Sequence, residues 1–167
     1  MIVKKILIFF IIFFLASCSN NYLDQSKETA IIECPSVYFS SENNTYIDGD
    51  YKNLDLEKVN YKASLNNYSF IGDCKSEAQN NIFKLELLIL TEPINPKNDL
   101  VNLPIFVLLY DKDNNLIDRQ YFRFIDNLNS SSIKSDYEVT DIIGSLSIYM
   151  DQQKDVDYMT IGFVKLN

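Results

Sequence analysis

The chain has no histidine and no tryptophan, and only four glycines, four prolines and three cysteines among its 167 residues. Without histidine it lacks the usual general base near pH 7 and the commonest zinc ligand. Ser-His-Asp and Cys-His hydrolysis are therefore excluded, and no GxSxG, SxxK or glycine-rich phosphate-binding motif occurs. We predict a non-catalytic protein with no cofactor and no bound metal. A pair of converging carboxylates, as in glycosidases, stays open as an alternative.

Basic residues are also scarce, since 15 Lys and Arg face 23 Asp and Glu, for a net charge of −8. Nucleic acids and anionic lipid headgroups bind through Lys and Arg that neutralise phosphate, so this balance disfavours both as partners. The acidic residues are spread along the chain, which is typical of a solvated surface.

The N-terminus has the three parts of a secretory signal. Lys4 and Lys5 form a basic leader, the unbroken apolar run 6–14 follows, and the small residues Ala16 and Ser17 come after Leu15. A membrane-spanning helix needs about 20 apolar residues, and this run is shorter. It ends in polar residues without a basic stop-transfer cluster.

The sequence Leu15-Ala16-Ser17-Cys18 resembles a lipobox, the cleavage site of bacterial lipoprotein precursors. The resemblance implies that 1–17 is a cleaved lipoprotein signal peptide and that Cys18 carries a diacylglyceryl group. Two acyl chains are enough for stable membrane attachment. Ser19 after the cysteine resembles the pattern that directs lipoproteins to the outer membrane, facing the periplasm. Loss of both leader lysines would leave the mature chain with a net charge of −10.

Cys34 and Cys74 are the two cysteines that remain in the body of the chain. The compartment beyond the inner membrane is oxidising, so we predict one disulfide between them. A metal pair or a reactive thiol is the alternative, but no CxxC spacing or histidine supports it.

Residues 18–29 are polar and aperiodic and predict the lipidated cysteine followed by a flexible tether. Residues 30–167 predict one domain. An apolar–charged alternation at Phe83–Leu87 and an apolar run at Ile105–Tyr110 are typical of strands. The turn residues 111–115 between Ile105–Tyr110 and Leu116–Phe124 predict a hairpin. Further strands are predicted at Lys58–Leu65, Tyr68–Asp73, Ser132–Thr140 and Asp157–Lys165, with one weak helical candidate at Ile142–Asp151.

Short strands at regular spacing without helical periodicity predict an all-β protein, an antiparallel β-sandwich of the immunoglobulin-like kind. The antibody hallmarks are missing, because there is no tryptophan and the Cys34–Cys74 separation is shorter than the usual inter-sheet disulfide. An open barrel or an α+β domain is the alternative.

The body also resembles small, β-rich envelope lipoproteins of alphaproteobacteria. Cys34-Pro35 after the tether, the hairpin from Phe106 through Asp111 to Phe122 and the closing Ile161-Gly162-Phe163 carry this resemblance. It implies fold and location, and no activity.

Two further patterns have structural explanations. The segment 111–115 begins like a calcium loop, but Leu116 and Phe122 stand where an EF-hand needs Gly and Glu. We interpret it as a hairpin turn. The eleven tyrosines could form an aromatic binding surface, since Tyr offers a large contact area at small entropy cost. We expect those in or beside predicted strands to be mostly half-buried packing residues instead: Tyr110, Tyr121, Tyr137, Tyr149 and Tyr158.

Together these observations predict a membrane-attached lipoprotein that binds or scaffolds another envelope protein. The alternatives are a carrier of a small apolar ligand or lipid within the β core, and a carboxylate-dependent hydrolase of envelope sugar polymers.

Overall fold

A computed structural model describes residues 29–49, 55–97, 99–128 and 139–165. The predicted signal peptide, Cys18 and almost all of the tether lie outside the described residues. In the described part, ten strands and one short 3-10 helix (Leu56–Lys58) follow one another. The strands are β1 (Thr29–Ile32), β2 (Ser36–Phe39), β3 (Thr45–Ile47), β4 (Tyr61–Phe70), β5 (Cys74–Glu77), β6 (Asn80–Pro93), β7 (Leu100–Tyr110), β8 (Leu116–Asn127), β9 (Thr140–Asp151) and β10 (Tyr158–Phe163).

The strands form two sheets, consistent with a β-sandwich. In the six-stranded sheet, β6 pairs with β9 along one edge and with both β4 and β5 along the other. The outer strands β3 and β1 pair with β4 and β5. The four-stranded sheet has the order β2-β10-β7-β8, and all its pairs are antiparallel except β2 with β10. The predicted all-β class is therefore confirmed at the level of two mostly antiparallel sheets.

The core lies between the sheets and follows from alternation along the long strands. Every second residue of β7 from Val101 to Leu109 is buried, as is every second residue of β6 from Phe83 to Thr91. Side chains on a strand point alternately to opposite faces, so one face of each sheet supplies the core. The predicted strand Ile105–Tyr110, which forms the second half of β7, and the 111–115 hairpin turn are both confirmed, with β7 pairing to β8.

Two predictions of secondary structure need correction. Ile142–Asp151 is not a helix but most of β9, whose residues are buried and exposed in strict alternation. The predicted strands Lys58–Leu65 and Tyr68–Asp73 overlap one strand, β4, which covers only Tyr61–Phe70 and whose register with β6 shifts between Leu65 and Asn67. The chain continues through this bulge instead of turning. Of the predicted strand Ser132–Thr140, residues 132–138 lie outside the described residues.

One tyrosine connects the two sheets. Tyr61 of β4 is 2% exposed. Its hydroxyl donates to the carbonyl of Asn102 in β7 at 3.0 Å and accepts from the Asn102 amide at 2.9 Å. The pairing of β10 with β7 ends at Ile105, so β10 does not reach Asn102. Tyr61 therefore satisfies the backbone groups of Asn102 that no strand pairs on that edge of β7.

The edge strands β8 and β9 meet along one side of the sandwich. The Gln120 amide of β8 donates to the Tyr149 carbonyl of β9 at 2.8 Å. The Phe124 ring lies over Gly144, where a Cβ atom would collide with it. This contact closes the core on that side. Among the described residues, no helix is long and apolar enough to cross a membrane.

Candidate functional site

The predicted disulfide is present and lies where the chain passes from one sheet to the other. Cys34 and Cys74 are bonded, with their Cα atoms 5.3 Å apart. Cys34 stands between β1, in the six-stranded sheet, and β2, in the four-stranded sheet. Cys74 begins β5 and is buried. The bond therefore holds the crossing segment against the core.

The 111–115 segment uses its carboxylate to build the turn. Asp111 Oδ1 accepts from the amides of Asp113 and Asn115 at 2.9 and 2.8 Å, and its Oδ2 accepts from the Asn115 side chain at 3.0 Å. These hydrogen bonds, first those from Asn115, hold the pKa of Asp111 below its usual value of 3.8. A carboxylate bound in this way is a turn component. Within the described ranges, no group of three or more acidic, cysteine or histidine side chains is placed to hold a metal.

The most distinctive surface is the outer face of the four-stranded sheet. We call it the aromatic–arginine face and define it by the outward side chains Tyr38 of β2, Tyr158 of β10, Phe106 and Tyr110 of β7, and Arg119, Tyr121 and Arg123 of β8. Residues directly opposite each other on paired strands share a face. The register places Phe106 opposite Tyr121 and Tyr110 opposite Tyr158, so these rings all point away from the core.

The rings on this face contact one another across three strands. Tyr110 and Tyr158 are stacked, with ring centroids 4.8 Å apart and an interplanar angle of 8°. Tyr38 meets Tyr158 edge to face at 5.8 Å. The Tyr158 hydroxyl donates to the side-chain oxygen of Asn114 in the β7–β8 turn at 3.1 Å. Partial burial, and then the proximity of Tyr110, raise the pKa of Tyr158 above its usual value of 10.0.

A glycine allows Phe106 to lie across the neighbouring strand. Gly162 of β10 is directly opposite Phe106. A Cβ atom at Gly162 would stand 2.5 Å from the tip of the Phe106 ring. The absence of a side chain there lets the ring cover the β10 backbone and continue the aromatic surface between the tyrosines and β8.

The most exposed ring of the aromatic–arginine face lies between the only two arginines of the chain. Tyr121 is 61% exposed. Arg119 and Arg123 flank it on the same side of β8, and both are exposed. The Arg119 guanidinium donates to the Tyr121 hydroxyl at 3.4 Å. The prediction that strand tyrosines are mostly half-buried is confirmed for Tyr110 and Tyr158 and is wrong for Tyr121 and for Tyr149, which is 54% exposed. Tyr121 and Tyr149 lie on outer faces of edge strands, where no further strand covers them. Tyr137 lies outside the described residues.

The abundance of tyrosine in the sequence is compatible with an aromatic binding surface but does not show which rings share a face. The alternation Arg119-Gln120-Tyr121-Phe122-Arg123 already places both arginines and Tyr121 on one side of a strand. The rest of the face depends on strand register, because Tyr38, Phe106 and Tyr158 belong to distant segments.

The opposite outer face has a different composition. Along β4, β6 and β9 it mixes both signs of charge, and Lys62 pairs with Glu92 at 4.0 Å. Further charged residues on it are Lys84, Glu86 and Asp141. Mixed, scattered charge is typical of a solvated surface.

Comparison with known proteins gives no relative, since no protein-family model, curated protein or solved structure matches the chain.

Proposed function

We propose that this protein is a lipid-anchored, non-catalytic envelope lipoprotein that binds or scaffolds another envelope protein through the aromatic–arginine face. The observation that carries the proposal is the combination of exposed tyrosine and arginine on one sheet face. Tyr and Arg are enriched in protein–protein interfaces and in the few residues that dominate binding energy. Tyrosine also offers a large contact area while losing little conformational entropy.

The face is rigid because β7, its central contributor, is paired on both sides. β7 is hydrogen-bonded to β10 and β8, and its inward residues are fully buried. Tyr110 and Tyr158 are held by stacking and by the hydrogen bond to Asn114. A preformed surface loses less entropy on binding than a mobile one, which favours a docking role.

Attachment to the membrane through Cys18 is the second part of the proposal. The lipobox resemblance supports it, and the Cys34–Cys74 bond suits an oxidising compartment outside the cytoplasm. Location at the outer membrane, facing the periplasm, rests on Ser19. Cells fed a clickable fatty acid should label the wild-type protein and not the Cys18→Ala variant. Equal labelling of both would place the anchor elsewhere.

We further propose that the sandwich belongs to the immunoglobulin-like kind. After β6, the chain makes β7 and β8 in the other sheet, returns beside β6 as β9, and returns beside β7 as β10. Immunoglobulin sheets have the orders ABED and CFG, in which B neighbours E and C neighbours F. The succession of β6, β7, β9 and β10 has this relation. The parallel strand β2 beside β10 is a departure from it.

The binding proposal is tested by crosslinking in cells. Ile125 and Ile143 are both 64% exposed, the first on the aromatic–arginine face and the second on the opposite face. A photo-crosslinking amino acid at each position gives a matched pair in the full-length protein. We expect a specific protein adduct from position 125 and little from position 143. Repeated recovery of the protein alone from position 125 would refute the proposal.

A further inference from the structure

The distribution of charge between the two outer faces is uneven. Both arginines lie on the aromatic–arginine face, although the whole chain has a net charge of −8. Within the described ranges, the outward positions of β2, β7, β8 and β10 include no Asp or Glu. The turn carboxylates of Asp111 and Asp113 stand beyond the end of β7. The face is therefore locally positive on an acidic protein.

The two guanidinium groups are available to a partner. No carboxylate in the described part of the chain forms a salt bridge with Arg119 or Arg123. The one side-chain hydrogen bond that the structure gives to this pair joins Arg119 to the Tyr121 hydroxyl, also on the face. An arginine can bind a carboxylate through two parallel hydrogen bonds, which adds direction as well as energy.

Spacing on β8 sets the geometry that a partner must match. Arg119 and Arg123 are four residues apart on one strand, which corresponds to about 13 Å at 3.3–3.4 Å per residue. Tyr121 stands midway between them on the same side. This arrangement offers two anion-binding points separated by an aromatic surface.

We propose that the aromatic–arginine face binds an acidic segment of another envelope protein, with two carboxylates about 13 Å apart on Arg119 and Arg123 and an apolar group between them on Tyr121. The inference rests on the proposed binding function and names the chemistry of its partner. Two cations are too few for a nucleic acid, whose binding depends on many phosphate contacts. An anionic bilayer is disfavoured because its extended negative surface would also repel the rest of this acidic protein. A pair of carboxylates on a protein can contact the two arginines without that repulsion.

Charge reversal separates this inference from general binding. The variant Arg119→Glu/Arg123→Glu is made in the full-length protein that carries the crosslinker at position 125. Its matched control is Lys62→Glu/Lys84→Glu, with the same change in net charge on the opposite face. We expect the arginine reversal to lower the adduct yield at least about tenfold, as loss of two charge-assisted contacts of more than 1.4 kcal/mol in total would do. The lysine reversal should leave the yield within about twofold. Melting temperatures of both variants equal to that of the wild type would show that folding is intact.

The adduct itself provides the second readout. Mass spectrometry should place the crosslink in a partner segment that contains at least two Asp or Glu residues. Changing those residues to Lys should restore the adduct with the Arg119→Glu/Arg123→Glu variant. An adduct that is insensitive to arginine reversal, or that joins the face to a segment without carboxylates, a second copy of this chain, a lipid or a glycan, would overturn the inference. Absence of any protein adduct from position 125 would overturn the proposed function itself.

Discussion

Replacing Tyr61 with Phe tests how the two sheets are joined. The substitution removes only the hydroxyl, which makes two hydrogen bonds to the Asn102 backbone, at 3.0 and 2.9 Å. The ring stays and can keep its buried packing, so no large cavity is created. The change in stability therefore reports these two hydrogen bonds.

The expected loss is about 2 kcal/mol in the free energy of unfolding. An intramolecular hydrogen bond contributes a net 0.5–1.5 kcal/mol, and leaving a buried group unpaired costs about 1–3 kcal/mol. Asn102 itself is exposed, so water can partly replace the Tyr61 hydroxyl. The loss therefore stays near the lower values of these two contributions taken together. For a domain of this size, about 2 kcal/mol corresponds to a decrease of about 4–8 °C in melting temperature.

Urea unfolding of wild type and Tyr61→Phe measures the difference, with equal m-values showing that the same surface is exposed. Tyr149→Phe is the control, because that ring is 54% exposed. It should change stability by less than about 0.5 kcal/mol. Hydrogen exchange of the Asn102 amide should accelerate only in Tyr61→Phe. A loss below about 0.5 kcal/mol in Tyr61→Phe, with unchanged exchange at Asn102, would refute the reasoning.

Three further predictions concern the disulfide, the core and the β7–β8 turn. Cys34 and Cys74 are 40 residues apart, and reduction of their bond should lower the free energy of unfolding by about 2–4 kcal/mol. Urea unfolding with and without reductant measures this difference, and two titratable thiols in protein purified without reductant would contradict the prediction. Thr91→Val should leave stability unchanged or raise it by up to about 1 kcal/mol, because the buried Thr91 hydroxyl has no hydrogen-bond partner in the described structure; a loss above about 1 kcal/mol would contradict it. The pKa of the Asp111 carboxyl, measured by NMR titration, should lie below 3.8. Because folding lowers this pKa, the contribution of Asp111 to stability is present above the pKa of the unfolded chain and is lost as the pH falls through the pKa of the folded protein. A titration midpoint at or above 3.8 would contradict the prediction.

Sequence patterns predicted the elements that depend on local alternation. The central strand β7, its hairpin with β8 and the closing strand β10 all have apolar residues bounded by turn residues, and these were found at nearly the predicted places. The disulfide also followed from the residues, because only two cysteines remain after Cys18.

The errors arise where local signals are ambiguous. Ile142–Asp151 has apolar residues at both odd and even positions, and neighbouring Ile142 and Ile143 fit a helix as well as a strand. Pairing with β6 along its whole length decides for the strand. The bulge in β4 lies in an Asn-Asn pair that is also typical of a turn, so one strand was predicted as two.

The candidate site was the least predictable part. The aromatic–arginine face brings together side chains from β2, β7, β8 and β10, and the register of those strands depends on tertiary packing. Only the β8 portion, Arg119 to Arg123, is contiguous enough to be read from alternation.

The position of the disulfide has a mechanical consequence if the protein is held by its N-terminus, as proposed above. Tension applied at Thr29 would first separate β1 from β5, since these four residue pairs lie ahead of Cys34 in the chain. The backbone from Thr29 to Cys34 spans about 17 Å when fully extended, and most of it is already extended as a strand, so the covalent bond bears the load as soon as β1 has separated from β5. Beyond that point the force passes directly to Cys74 and the strand next to β6. Because the bond closes the chain between Cys34 and Cys74 into a loop, β2, β3 and β4 would be protected from extension by a force applied at the N-terminus.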